Sequence, residues 1–159
     1  MKKAIYAGSF DPITNGHIDI VRRARCLFEQ VIIAVIQNPD KQSLFSMDER
    51  KQFIQSIFSS DDTIIVEGFE GLLVDYAKQK GVYTIIRGLR AVSDFDFEFQ
   101  MALTNRQLNS EIETVFLMTG SEYSYLSSSV VKQLALYKAD VSSFVPECVE
   151  KALKEKKYE

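Results

Sequence analysis

A chain of 159 residues with a formal net charge of −3 and a pI near 5.3 suits one domain spanning 1–159, large enough for a proper core but too short for a catalytic domain plus an RNA-binding module. Lys and Arg are scattered rather than striped, which argues against nucleic acid as the main partner and leaves local basic positions for a small anionic ligand. Cys26 and Cys148 are far apart, without a Cys-x-x-Cys or a second histidine, so they read as free, buried thiols; with no signal region and no apolar run of membrane-spanning length, a soluble cytoplasmic protein with no membrane partner is expected.

The apolar run Ala4 to Ala7 reads as a buried parallel strand, followed by the polar turn Gly8-Ser9-Phe10-Asp11-Pro12-Ile13-Thr14-Asn15-Gly16-His17. Ile20, Val21, Ala24, Leu27 and Phe28 then follow helical spacing. This strand-to-helix turn is where a nucleotide phosphate would sit, because a helix N-terminus offers unpaired N–H groups and the positive end of its dipole. No Gly-x-Gly-x-x-Gly and no Gly-x-x-x-x-Gly-Lys-Ser/Thr occurs, so neither a dinucleotide dehydrogenase nor a P-loop enzyme is indicated. His17 falls three and four residues before Ile20 and Val21, above the buried face and aimed at the sheet's edge.

Val31 to Ile36 is a second strand, and the polar loop after it places Lys41 near a strand's carboxyl end, where α/β folds bind ligands. Ser46-Met47-Asp48-Glu49 is a capping box opening a helix with Phe53, Ile54, Ile57 and Phe58 as its stripe. Thr63 to Val66 reads as a third strand, Gly68-Phe69-Glu70-Gly71 as a turn, and Leu72, Leu73, Tyr76 and Ala77 as a helix stopping at Gly81. Val82 to Ile86 is a fourth strand ending in Arg87-Gly88-Leu89-Arg90, whose two arginines favour an anion clamp. Ser93-Asp94-Phe95-Asp96 caps a helix from about Phe95 to Leu108.

Thr114 to Met118 is the fifth strand. Tyr123-Ser124-Tyr125-Leu126-Ser127-Ser128-Ser129 then leads into a helix with Val130, Val131, Leu134 and Ala135 expected buried, so hydroxyls and helix N–H groups can converge on phosphate oxygens. Val145-Pro146 starts a last helix, with Pro in the first turn. Five strands alternating with helices argue a Rossmann-like α/β fold: a parallel five-stranded sheet with helices on both faces.

Thr14-Asn15-Gly16-His17 resembles the Thr/His-x-Gly-His signature of the nucleotidyltransferase superfamily. Together with the preceding Gly8-Ser9-Phe10-Asp11-Pro12, the Arg87-Gly88-Leu89-Arg90 segment and the serine run, it makes the whole chain similar to the bacterial phosphopantetheine adenylyltransferases. The resemblance implies direct in-line transfer of AMP from ATP to 4'-phosphopantetheine, giving dephospho-CoA and pyrophosphate in coenzyme A biosynthesis. It implies ATP as co-substrate, Mg²⁺ bound through the ATP phosphates without protein ligands, and a homohexamer.

Residue by residue, the resemblance makes His17, Lys41 and Arg90 catalytic, with His17 the donor to the α-phosphate in the transition state. Lys41 and Arg87 would hold the incoming phosphate, Ser9 would donate to it, and Leu73 would contact the pantetheine arm. The nucleotide would be held by Ser9, Phe10, His17, Gly88, Leu89, Arg90, Glu98, Tyr123, Ser124, Tyr125, Leu126, Ser127, Ser128 and Ser129. Ser9 stands where some relatives have Thr, and Tyr123 where others carry Trp; Lys132 stands where some relatives have a basic residue. The competing readings are a nucleotidyltransferase acting on nicotinate mononucleotide, a silent ATP or CoA sensor, and an RNA-binding relative. The Arg87 to Arg90 segment, the retained site residues and the acidic pI argue against them in turn.

Overall fold

The computed structural model describes residues 2–37, 42–90 and 92–156. Five parallel strands, β1 (Lys3–Gly8), β2 (Gln30–Gln37), β3 (Ile64–Glu70), β4 (Thr84–Leu89) and β5 (Glu113–Met118), form one sheet in the order 3-2-1-4-5. The helices are α1 (Asn15–Arg25), α2 (Met47–Ile57), α3 (Leu73–Lys80), α4 (Val92–Leu108), α5 (Ser128–Leu136) and α6 (Glu147–Glu155), with a 3₁₀ turn at Ser121–Tyr123.

Period-2 alternation divides the strands between two cores. Ala4 and Tyr6 of β1, with Val31, Ile33 and Val35 of β2, meet Ile20, Val21 and Ala24 of α1, Ile54 of α2, Val131 of α5 and Val149 of α6. Ile5, Ala7, Ile32 and Ala34 face the other way, onto Val74, Tyr76 and Ala77 of α3. Helices therefore cover both faces of the sheet, as expected. The strand order reverses between β1 and β4, whose register sets Ile5 beside Ile85 and Tyr6 beside Ile86. In an open parallel sheet that reversal splays the crossovers apart and opens a crevice at the strands' carboxyl ends.

Several boundaries differ from the sequence reading. β3 continues through Gly68 to Glu70, because β2 supplies ladder partners as far as Gln37. β4 takes in Arg87, Gly88 and Leu89, paired with Phe116, Leu117 and Met118, so only Arg90 of the clamp lies beyond the strand. α4 begins at Val92, which puts Asp94 in the first helical turn instead of at a cap. Leu72 is the N-cap residue of α3, not part of the helix, and is exposed. Pro146 likewise is an N-cap, just outside α6. Leu27 lies past the end of α1 and Val130 on the outer side of α5, and both are exposed. Cys26 and Cys148 are free thiols as read, but Cys26 is exposed and Cys148 only half-buried.

Candidate active site

Thr14 caps α1, and the cap determines the state of His17. The Thr14 backbone N–H donates to His17 Nδ1 at 3.0 Å, while Thr14 Oγ1 accepts from the His17 N–H at 3.4 Å. A backbone amide can only donate, so Nδ1 carries the lone pair and the ring proton sits on Nε2. Burial, followed by the positive charges of Arg90 and Arg87, pushes the imidazole pKa down from 6.5 to about 4. At neutral pH His17 is thus an uncharged ring with one N–H to give. Phe10, itself buried, meets this ring edge-on at 5.2 Å between centroids and fixes its orientation.

The pKa shift has a consequence for stability. Because the folded state disfavours the imidazolium, its contribution is fully present above pH 6.5 and is lost as the pH falls from 6.5 towards 4, an effect on the order of 2–3 kcal/mol. The His17 ring is expected to titrate near pH 4 by NMR; a midpoint near 6.5 would contradict the half-buried, amide-bonded environment.

Arg87 stands in the floor between β1 and α4. Its Nε and Nη2 each donate at 2.6 Å to the Glu98 carboxylate, and Nη1 donates to the Ala7 carbonyl at 2.8 Å. Burial works against the guanidinium charge, but Glu98 outweighs it and the net pKa is raised. Gly88 follows because a Cβ there would come within 3.1 Å of Ile20 Cγ1, so α1 could not lie this close to β4. Arg90 donates to Asp94 at 3.1 Å and to the Leu126 carbonyl at 3.1 Å, tying the end of β4 to the segment before α5.

That segment is braced again by Asp19 of α1, which accepts from the Gly120 N–H at 2.8 Å. The three serines have separate duties. Ser127 caps α5 through the Val130 N–H at 3.2 Å, and Ser128 Oγ donates to the Pro12 carbonyl at 2.7 Å. The first backbone N–H groups of α5, at Ser128 and Ser129, together with the exposed Ser129 side chain, remain to receive an anion. Lys132, one turn further on, places Nζ 2.9 Å from Asp11 Oδ2.

These parts enclose a crevice with two lobes. One, of about 380 Å³, is lined by His17, Gly88, Arg90, Thr119 and Leu126. The other, of about 640 Å³, is lined by Leu72, Leu73, Phe97, Met101, Asn105 and Lys132. Ser9, Arg87, Glu98, Ser128 and Ser129 line both and form the shared wall. The structure therefore brings together Ser9, Phe10, His17, Leu73, Arg87, Gly88, Arg90, Glu98, Leu126, Ser127, Ser128 and Ser129. Leu89, Tyr123, Ser124 and Tyr125 are near in sequence but do not line either lobe, and Lys41 lies outside the described residues.

Two residues that sequence reasoning passed over hold the site's loops. Asp11, buried, accepts from the Leu44 and Phe45 N–H groups at 2.9 Å each and from Lys132. Arg50, 1% exposed, donates to the carbonyls of Ser9 (2.7 Å) and Ile36 (3.0 Å) and to Gln37 Oε1 (2.7 Å). Asp11 stood inside the recognised turn and could have been singled out. Arg50 follows a capping box and looks like any charged residue of a helix's first turn. Chemically, the crevice offers one neutral donor, two arginines and a helix N-terminus around a space for two ligands, an arrangement suited to moving a phosphoryl-linked group between them.

The family model for cytidylyltransferase-like proteins matches residues 5–134. A phosphopantetheine adenylyltransferase of Alkaliphilus metalliredigens is 58% identical, over 98% of this chain and 99% of that protein. One of Desulfosudis oleivorans is 54% identical over 98% and 93%. Among solved structures, a provisionally assigned nicotinate-nucleotide adenylyltransferase of Vibrio parahaemolyticus superposes with a TM-score of 0.71 over 98% of this chain and 94% of its own, at 16% identity, a likeness of fold alone.

Proposed function

Since the chain belongs to the phosphopantetheine adenylyltransferase family of cytidylyltransferase-like proteins, we propose that it is a single catalytic domain that transfers AMP from ATP to 4'-phosphopantetheine, releasing dephospho-CoA and pyrophosphate. The observation that carries this reading is the shared wall: Arg87 and Ser9 face both lobes, so two phosphate-bearing ligands can meet there. The 380 Å³ lobe takes ATP beside His17 and Arg90, and the 640 Å³ lobe takes the acceptor, with Leu72, Leu73 and Met101 against its uncharged arm.

A phosphate monoester with a second pKa of ~6 is already a dianionic nucleophile at neutral pH, so the site needs no general base. It needs in-line positioning and relief of the charge that gathers on the α-phosphate. His17 Nε2–H donates to that centre, Arg87 and Lys41 hold the incoming phosphate, and Arg90 with the α5 N-terminus holds the triphosphate. Mg²⁺ would neutralise triphosphate charge. Asp11 and Glu98, the two buried carboxylates lining the crevice, are both engaged by cations, and the described residues contain no group of three His, Cys, Asp or Glu side chains that could hold a metal. This donor set fits an ion carried by phosphate oxygens and water.

Among the described residues no helix is long and apolar enough to cross a membrane. A cytoplasmic location is consistent with two free thiols. Self-association is supported by α4, where Phe95, Phe99 and Leu103, four residues apart, are 42%, 47% and 51% exposed and form one apolar stripe. Light scattering at micromolar concentration is expected to give an oligomer, a hexamer on the family resemblance, and Phe99→Glu with Leu103→Glu should shift it towards monomer. A monomeric mass for the unaltered protein would refute this.

The function itself is tested by pyrophosphate release from ATP and Mg²⁺ with a panel of acceptor phosphates. 4'-Phosphopantetheine is expected to be preferred well above nicotinate mononucleotide; equal rates with the two would sink the assignment.

A further inference from the structure

Arg50 reaches the turn after β1 from below. It is 1% exposed, lines neither lobe of the crevice, and directs Nη1 at the Ser9 carbonyl. The Ser9–Phe10 peptide bond is trans, so its N–H points opposite to its C=O. With the carbonyl held towards Arg50, the Phe10 N–H is turned away from that side chain, and Ser9, Phe10 and His17 all line the smaller lobe. Phe10 has φ of 46°, in the left-handed region that a phenylalanine rarely adopts. Its N–H has no hydrogen-bond partner among the described residues.

We infer that Arg50 is a positioning residue: by holding the Ser9 carbonyl it keeps the Phe10 amide aimed at the phosphates of the bound nucleotide, beside the His17 donor. Two restraints keep the strained turn in place. The Phe10 ring packs edge-on between Tyr6 and His17, both at 5.2 Å. The guanidinium spans the Ser9 and Ile36 carbonyls and Gln37, so the ends of β1 and β2 anchor it from two sides. Released from Arg50, this peptide can rotate and present a carbonyl oxygen to the phosphates where an N–H had been. That reversal replaces attraction by repulsion at the position where transition-state charge gathers. The inference rests on the adenylyl-transfer reading only for its kinetic arm.

Arg50→Lys keeps the charge and the helix but replaces a planar fork by a single ammonium that cannot span the same carbonyls. In the full-length protein its kcat is expected to fall roughly 10²-fold while the KM values for ATP and acceptor move much less. A residue that merely stabilised the fold would lower the folded fraction without this split. In ¹⁵N-phenylalanine-labelled wild-type protein, the Phe10 amide is expected to shift downfield on addition of ATP, and this response should vanish in Arg50→Lys. A folded Arg50→Lys protein with normal kcat, or a wild-type Phe10 amide unmoved by saturating ATP, would overturn the inference. Should Arg50→Lys fail to fold, the wild-type amide titration decides alone. If wild-type protein releases no pyrophosphate from ATP with 4'-phosphopantetheine, the proposed function fails, and the amide titration still decides where the Phe10 N–H points.

Discussion

His17→Ala is expected to lower kcat by on the order of 10² to 10³-fold, with ATP and 4'-phosphopantetheine affinities changing much less. The reason lies in the ring's protonation state. With Nδ1 accepting from the Thr14 amide and the pKa lowered to about 4, His17 would, in the proposed mechanism, bring a neutral N–H to a charge that grows only as the α-phosphate becomes five-coordinate. A neutral donor gives little to the ground state, so its loss is read in rate. His17 should therefore impose no titration on the rate between pH 6 and 8; any loss of rate towards pH 6 would follow the acceptor's phosphate, whose pKa is ~6. His17→Ala turning over at the wild-type rate would return the histidine to a capping role.

Arg87→Ala is expected to raise the KM for 4'-phosphopantetheine roughly 10 to 10²-fold, since one charge-assisted contact contributes about 1.5 to 3 kcal/mol. ATP binding should change less. A guanidinium has five N–H groups; three are bonded to Glu98 and Ala7, which leaves one each on Nη1 and Nη2 for phosphate. The same substitution leaves Glu98, 9% exposed, without its counter-ion, so the melting temperature should fall as well. Glu98→Gln, which retains shape and one acceptor, should fall between the two. Unchanged acceptor kinetics in folded Arg87→Ala would place Arg87 among structural ion pairs.

The turn carrying His17 and the capping box at Ser46 were legible because both are local: cap and partner lie three residues apart and meet whatever the rest of the chain does. The ends of β3 and β4 were not, because a strand ends where its neighbour stops offering ladder partners, and those partners are distant in sequence. Gly68 reads as part of a turn and Gly88 as lying past Ile86 at the end of the fourth strand, yet both sit within strands and are small because Met47 and Ile20 pass over them.

For the site the division runs the same way. Residue types and order alone led to the expectation that phosphate-binding groups gather at the carboxyl ends of the first, second, fourth and fifth strands, since apolar periodicity locates the strands and the motifs follow them directly. Tertiary structure decided what each group does: that Glu98 holds Arg87, that Ser128 is bonded to Pro12, and that Asp11 and Arg50 brace the loops. Hydrogen bonds between residues more than a hundred positions apart, such as Asp11 with Lys132, depend on the packing of the whole sheet and have no local signature in the chain.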